Sequence, residues 1–145
     1  MIQGTLCILL SIQQFIFNRY ACAIPDEDNE ELIITGGYDT MTTVSVYNET
    51  GWQRDLAPLN QGRGYHACVS YVNGGKKVNH IELCLKVTFS CQFLMVSGGW
   101  TGSADLDSTE IFSDNTWRTV AGKLPEPMSS LRVTTINNRV LSLGN

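Results

Sequence analysis

An internal repeat constrains the fold of this chain more than any other feature of the sequence. The segment ELIITGGYDTMTTVSVYNETGWQRDLAPL, beginning at Glu31, aligns with FLMVSGGWTGSADLDSTEIFSDNTWRTVAGKLP, beginning at Phe93. Each copy has an apolar run, a Gly-Gly pair, an aromatic residue, a polar loop, a β-rich run ending in an aromatic residue, and a tryptophan after a short step. A third copy starts with LRVTTINNRVLSLGN at Leu131. The sequence therefore predicts one structural unit used several times.

The repeated unit has the residue pattern of short β-strands. From Leu32 onward, apolar and polar residues alternate in runs broken by glycine, and no long amphipathic helical period occurs. Glycine pairs allow positive φ and close backbone approach at strand ends. Tryptophans such as Trp52 and Trp117 bring large apolar areas that a single sheet cannot bury alone. We therefore expect an all-β fold in which neighbouring sheets bury the tryptophans.

These residues resemble the kelch repeat of β-propellers, in which a Gly-Gly pair ends a strand and a spaced tyrosine and tryptophan pack between blades. The matching positions are Gly36, Gly37, Tyr47 and Trp52 in the first copy and Gly98, Gly99, Phe112 and Trp117 in the second. The resemblance implies a partial β-propeller of four-stranded blades. About two and a half blades are expected, with blade one at 32–57, blade two at 65–121 and the start of blade three at 131–145.

Two consequences follow from this assignment of blades. The first blade lacks one strand on its N-terminal side, because no strand pattern precedes Leu32. Since propellers have about four to eight blades, the chain is expected to be a truncated or mis-spliced form of a longer propeller, a partial gene product, or an oligomerising fragment. Unpaired strand edges and blade faces would favour association.

The segment VNHIELCLKVTFSCQ, residues 78–92, interrupts the second unit. The two Gly-Gly pairs are 62 residues apart, whereas kelch repeats run at about 50 residues. One interpretation is an inserted strand with alternating apolar residues, in which Cys84 and Cys91 form a disulfide. The other is a short retained intron, because Val-Asn can be encoded by an intron's opening bases and FSCQ by a pyrimidine-rich closing tract. The sequence leaves both interpretations open.

The N-terminus predicts export. TLCILLSIQQFIF is apolar and helix-compatible, and Ala21 and Ala23 have the spacing of a signal-peptidase site. We therefore expect a helical signal peptide at 1–23, an acidic leader at 24–31 and a secreted protein. An uncleaved anchor or a buried helix is the alternative, although the apolar run is short for a membrane span. Cleavage after Ala23 would remove Cys22 and leave Cys68 as a buried thiol outside the interrupting segment.

Charge and composition exclude some classes of partner. The net charge is −4, and no basic run extends beyond Lys76–Lys77, so neither nucleic acid nor an anionic membrane is expected as a partner. No cofactor is expected, and metal binding has no motif to support it, since His66 and His80 match no metal-ligand spacing. These observations favour a binding protein over an enzyme.

The resemblance also implies where a partner binds. In kelch propellers, the loops after Gly-Gly and the loops between blades form a common partner-binding face. It implies that Tyr38, Arg63 and Trp100 contact the partner, which is expected to be a protein or, as a second class, a glycan. For each residue a structural role is the alternative, and for Arg63 that role is a bridge between loops. Aromatic residues and arginine dominate binding energetics at interfaces in general.

A glycosylation sequon and two other functional classes remain. Asn48-Glu49-Thr50 is an N-glycosylation acceptor in the turn before Trp52, on the face opposite the predicted binding loops. One alternative is the N-terminal part of an extracellular propeller enzyme resembling galactose oxidase, although the histidines, tyrosines and cysteine of its copper site have no matching set here. The other alternative is an intracellular kelch adaptor, which the apolar leader disfavours.

Overall fold

The chain is described by a computed structural model over residues 20–26, 29–72, 92–136 and 139–143. These residues contain strands and turns but no helix. The strands are β1 Cys22–Asp26, β2 Glu31–Thr35, β3 Val44–Asn48, β4 Gly51–Asp55, β5 Ala67–Val72, β6 Gln92–Ser97, β7 Thr109–Ser113, β8 Thr116–Thr119, β9 Arg132–Ile136 and β10 Arg139–Leu143.

The strands form two four-stranded antiparallel sheets and one hairpin. Strands β1, β2, β3 and β4 lie side by side in chain order in sheet one, β5 to β8 repeat this order in sheet two, and β9 pairs with β10. The prediction of an all-β fold is confirmed, and each predicted strand after Leu32 is present. Two consecutive antiparallel sheets of four strands are compatible with a partial β-propeller.

The first sheet is complete, which corrects the prediction that it lacks a strand. Strand β1 pairs with β2 in antiparallel register, with Ile24 opposite Ile33. Ile24 is 1% exposed. The sequence pattern hides this strand because Pro25 and the acids after it resemble an exposed leader. Since β1 lies at a sheet edge, where proline is tolerated, one buried isoleucine is enough to anchor it.

The folded part of the chain therefore begins before the boundaries that the sequence predicts, and the cleavage site stays a prediction. The end of the signal peptide at residue 23 falls inside β1, and the acidic leader at 24–31 contains most of β1 and the start of β2. The helical signal segment itself lies outside the described residues, apart from its last four positions. Those four positions belong to sheet one and to the turn that enters it.

A disulfide joins the two sheets. Cys22 in β1 is bonded to Cys68 in β5, with 6.0 Å between the Cα atoms and 46 residues between the two positions. The prediction that Cys22 is lost with the leader and that Cys68 is a buried thiol is therefore wrong. Cys84 and Cys91, the other predicted pair, lie outside the described residues.

The first strands of the three units stand next to one another. The Tyr65 amide, two residues before β5, donates to the Tyr20 carbonyl at 3.0 Å, and the Ser130 amide donates to the Tyr65 carbonyl at 2.8 Å. Tyr20, Tyr65 and Ser130 each adopt positive φ and each precede a first strand by two positions. Equivalent backbone positions therefore link β1 to β5 and β5 to β9.

The interrupting segment lies in the connection between β5 and β6. Val72 at the end of β5 pairs with Gln92 at the start of β6, so the last residue of the predicted segment is part of β6. Residues 78–91 lie outside the described part of the chain, and the choice between an insertion and a retained intron is not decided by the strands on either side.

The hydrophobic core lies between sheets one and two. Alternate residues of the strands face inward, as period-two patterning requires. Leu56, Ala57, Cys68 and Phe112 pack around this cluster in partly buried positions. The buried cluster consists of Ile24, Ile33, Val44, Val46, Leu59, Leu94, Val96 and Trp117.

The two repeat tryptophans have different surroundings. Trp117 is 3% exposed, and its Nε1 donates to the carbonyl of Ala57, in the linker after sheet one, at 2.9 Å. Trp52 is 58% exposed. The two occupy equivalent positions, since each pairs with the aromatic residue of the strand before it, Tyr47 or Phe112. Trp117 faces the sheet that precedes its own, whereas no described sheet precedes sheet one, so the predicted burial holds for Trp117 and not for Trp52.

Truncating these tryptophans is expected to have unequal effects on stability. Trp117→Ala removes a buried ring between two sheets and should lower the free energy of unfolding by about 3–5 kcal/mol. Trp52→Ala removes an exposed ring and should lower it by less than about 1 kcal/mol. Urea unfolding of both variants beside the parent chain measures the difference, and equal losses would contradict the assignment of Trp117 to the sheet interface.

Candidate binding site

The loops that follow the glycine pairs and the linkers between units lie at one end of the sheets, which we name the Gly-Gly end. The Gly37 amide donates to the Arg63 carbonyl at 3.0 Å, and the Gly99 amide donates to the Met128 carbonyl at 2.9 Å. Gly36 has a φ of +58°, and a Cβ there would collide with the Arg63 carbonyl oxygen and approach His66 Cε1 to 2.8 Å. The missing side chain therefore lets each linker pass directly over the end of the preceding sheet.

Arg63, a predicted partner contact, is buried. Its side chain is 0% exposed, and its Nη2 lies 2.7 Å from Glu110 Oε1, which is also 0% exposed. Its Nη1 donates to the carbonyl oxygens of Gly98 at 2.8 Å and Ser108 at 3.1 Å. Arg63 is therefore a bridge from the linker to sheet two, and the prediction that it contacts a partner is corrected. Because the guanidinium is withdrawn from water, its donors must be satisfied by protein oxygens, which here also include the Gln61 carbonyl and the Ser108 hydroxyl.

Glu110 completes the link between the sheets. Its carboxylate also accepts hydrogen bonds from the amides of Asn60 at 2.8 Å and Gln61 at 3.0 Å, both in the linker after β4. Burial lowers the pKa of Arg63, whereas the Glu110 charge raises it. Because breaking a buried pair leaves an uncompensated charge, this contact holds the linker in one conformation.

His66 is buried beside this pair. Its Nε2 is 2.8 Å from Thr35 Oγ1 in β2, and it follows Tyr65 as Leu131 follows Ser130, so the two side chains are equivalent in the repeat. Burial, together with the positive charge of Arg63, lowers the pKa of His66 to about 3. The imidazole is therefore a neutral packing group rather than a surface ligand.

His66 should make the fold sensitive to acid. The unfolded chain takes up a proton at this histidine below a pH of about 6.5, whereas the folded chain resists it until a pH of about 3. Stability should therefore fall as the pH drops from 6.5, by roughly 3 kcal/mol at pH 4. His66→Leu introduces the residue found at the equivalent position, Leu131. It should lose the part of the acid sensitivity that is due to His66 and keep the part that is due to protonation of the carboxylates. Urea midpoints at pH 7, 5.5 and 4 test this, and parallel losses in both chains would contradict it.

The two aromatic residues that follow the glycine pairs meet at the surface of the Gly-Gly end. The rings of Tyr38 and Trp100 are stacked, with centroids 5.7 Å apart and planes inclined by 9°. The ring of Tyr20 stacks on Tyr65 at 3.7 Å and meets Tyr38 edge-on at 6.5 Å. We name Tyr20, Tyr38, Tyr65 and Trp100 the aromatic array.

A shallow, open recess lies beside the array. Its volume is about 270 Å³, and it is lined by Tyr38, Tyr65, Trp100, Ser129 and Ser130. The structure therefore brings together two of the three predicted contact residues, Tyr38 and Trp100. Sequence reasoning missed Tyr20 and the two serines. Tyr20 and Tyr65 each lie two residues before the first strand of a unit, but this equivalence is hidden in the sequence because the pattern does not predict β1.

Asn48 lies at the opposite end of the sheets, which we name the hairpin end. It is the last residue of β3, and its Oδ1 accepts hydrogen bonds from the Thr50 amide at 2.9 Å and the Thr50 hydroxyl at 2.7 Å. The sequon therefore forms an Asx turn in the exposed β3–β4 connection. Its modification stays a prediction.

In residues 20–26, 29–72, 92–136 and 139–143, no group of three or more histidine, cysteine, aspartate or glutamate side chains is placed to hold a metal ion. The same part of the chain has no helix with the length and apolarity needed to cross a membrane.

Comparison with known proteins identifies the fold without a family. No family model matches the chain, and no curated protein matches it. The solved structure of YjhT is similar, with a TM-score of 0.60 and 16% sequence identity over 88% of this chain. The match covers 34% of YjhT, so this chain spans about a third of its structural neighbour. At this identity the likeness concerns the arrangement of strands.

Proposed function

We propose that the chain is part of a secreted kelch-type β-propeller that binds a protein partner through the aromatic array at the Gly-Gly end. The observation that carries the proposal is the stacking of Tyr38 and Trp100 beside an open recess. Stacked, half-exposed aromatic rings offer a large apolar area at small conformational cost, as is common in binding surfaces. A glycan is the second class of partner, since sugars also stack on aromatic rings.

The proposed kelch assignment rests on the equivalence of the two units. Each glycine pair contacts the linker to the next unit, and Tyr47 and Phe112 each pack on a tryptophan, with ring centroids 5.4 and 5.2 Å apart. Two sheets and a hairpin correspond to about two and a half blades. The share of YjhT that is matched supports the proposal that a full ring contains further blades.

The proposed location outside the cell is supported by the disulfide between Cys22 and Cys68, because disulfides persist mainly in oxidising compartments. The apolar N-terminal segment and the sequon at Asn48 agree with export. Because Tyr20 and Cys22 belong to the folded unit, we propose that any cleavage of the leader occurs before Tyr20.

Secretion should leave two covalent marks on the protein. We expect a disulfide-linked peptide pair containing Cys22 and Cys68, and a glycan on Asn48, in the chain collected from culture medium. Mass spectrometry of a non-reduced digest detects both. Thr50→Ala is the matched control, since it should abolish the glycan and leave the disulfide intact. A chain retained inside the cell, or one with free thiols at both cysteines, would contradict the proposed location.

Partner binding should depend on the aromatic array. The full chain, immobilised and exposed to extracellular fluid from the tissue that produces it, should retain a specific protein. Tyr38→Ala and Trp100→Ala should each weaken this retention by roughly tenfold or more, the usual effect of removing an interface hot spot. Trp52→Ala removes an equally large exposed ring away from the recess and should have no effect. Retention that is lost in the Trp52 variant but kept in the others would contradict the proposed surface.

A further inference from the structure

We propose that the recess at the Gly-Gly end binds the cationic side chain of a basic peptide, a lysine or an arginine, on the aromatic rings that line it. This inference rests on the proposed function, because it names the chemistry of the partner that the same surface takes. A positively charged side chain fits the recess because of the geometry of the rings and the charges of the neighbouring loops.

The rings offer negative faces that are already held in place. A cation within about 6 Å of an aromatic centroid is attracted by the ring quadrupole, most strongly by tryptophan. Tyr38 and Trp100 are stacked on each other and Tyr65 is stacked on Tyr20, so rings on two sides of the recess are immobilised before a ligand arrives. This arrangement lowers the entropy cost of binding.

The carboxylates next to these rings are exposed and unbalanced. Asp39 follows Tyr38 in the chain, and Asp105 forms an isolated antiparallel bridge with Trp100. Both aspartates are exposed, and neither is in an ion pair with a described residue. Asp107, by contrast, is neutralised by Lys123 at 2.7 Å. The loops that carry Tyr38 and Trp100 therefore carry two exposed carboxylates as well as the rings.

Arg63, the arginine buried at the Gly-Gly end, does not balance the charges of Asp39 and Asp105. Arg63 is fully buried and paired with Glu110, so it presents no guanidinium to a ligand. Arg54 and Arg118 pair with Glu31 and Asp114 on outer strands and turns. An anionic peptide would therefore meet the exposed carboxylates of Asp39 and Asp105 without a balancing contact from Arg63.

Arg132 carries a positive charge that should oppose the binding of a cation in the recess. It is exposed and lies two residues after Ser130, which lines the recess. Its positive charge should repel a cation in the recess, because salt screens charges fully only beyond a Debye length, about 10 Å at 0.1 M salt. Removing it should therefore strengthen binding, whereas removing the aspartate charges should weaken it.

The test titrates the full chain with three short peptides that differ at one central residue. The probes are acetyl-Ser-Gly-Lys-Gly-Ser-amide, its Nε-acetyllysine counterpart and its glutamate counterpart. Binding is followed by tryptophan fluorescence in a Trp52→Phe background, in which the tryptophans that remain are Trp100 and the buried Trp117. We expect the lysine peptide to bind about tenfold more tightly than the acetyllysine peptide, since acetylation removes the positive charge and keeps the aliphatic stem. An arginine peptide should bind at least as tightly.

Variants separate the contributions of rings and charges. Trp100→Ala, titrated by isothermal calorimetry because it removes the fluorescent reporter, should abolish measurable binding of the lysine peptide. Asp39→Asn with Asp105→Asn should weaken it by roughly threefold to tenfold, and added NaCl should weaken it less in this variant than in the parent. Arg132→Gln should strengthen it by a smaller factor. Far-UV circular dichroism and urea midpoints establish that each variant is folded.

Three results would overturn the inference. The first is equal binding of the lysine and acetyllysine peptides, the second is tighter binding of the glutamate peptide, and the third is binding of neutral methyl glycosides at this site with no effect of the aspartate variants. Each of these leaves the proposed function intact if a protein partner still depends on Tyr38 and Trp100. Loss of that dependence would instead overturn the proposed function.

Discussion

The buried ion pair between Arg63 and Glu110 is the interaction on which the arrangement of the described sheets depends. Arg63 belongs to the linker that leaves sheet one, and Glu110 belongs to β7 in sheet two. The carboxylate also accepts hydrogen bonds from two linker amides, and the guanidinium donates to the carbonyl of Gly98, the residue after β6. Because a buried charge must be paired and hydrogen-bonded, the linker has few conformations that satisfy all these groups. The relative position of the two sheets follows from this one network, supported by the disulfide between β1 and β5.

The repeated units keep the same backbone contacts while their side chains take different roles. Tyr65 and Ser130 occupy one position at the start of a unit, and His66 and Leu131 occupy the next. The second unit begins with the aromatic ring of Tyr65 and the imidazole of His66. The third unit has the hydroxyl of Ser130 and the aliphatic side chain of Leu131 at the same two positions. Backbone geometry is thus conserved within the chain by glycine and hydrogen bonding, whereas the surface at each junction is set by single residues. The recess lies where the larger and the smaller residues meet.

The burial of Arg63 also shapes the proposed binding surface. Once the guanidinium is used between the sheets, the exposed groups of the neighbouring loops are the rings of Tyr38 and Trp100 and the carboxylates of Asp39 and Asp105. A surface of this composition favours apolar and cationic groups over anions. The same contact that holds the sheets together therefore decides which chemistry the Gly-Gly end presents to a partner.

Much of the fold follows from the sequence alone, because strand alternation and the conformational freedom of glycine are local properties. The spacing of the glycine pairs and tryptophans determined the all-β fold and the strands after Leu32, and the resemblance to kelch repeats implied that the aromatic residues after the glycines share one face. Only the tertiary structure decided that Cys22–Asp26 is a strand, that Cys22 and Cys68 are bonded, that Arg63 is buried and that Trp52 and Trp117 differ in exposure. The strand at Cys22–Asp26 depends on its pairing with β2 and on the burial of Ile24. The other three depend on which sheet lies beside which, and contacts between residues some 46 or more positions apart leave no period in the sequence from which they could be read.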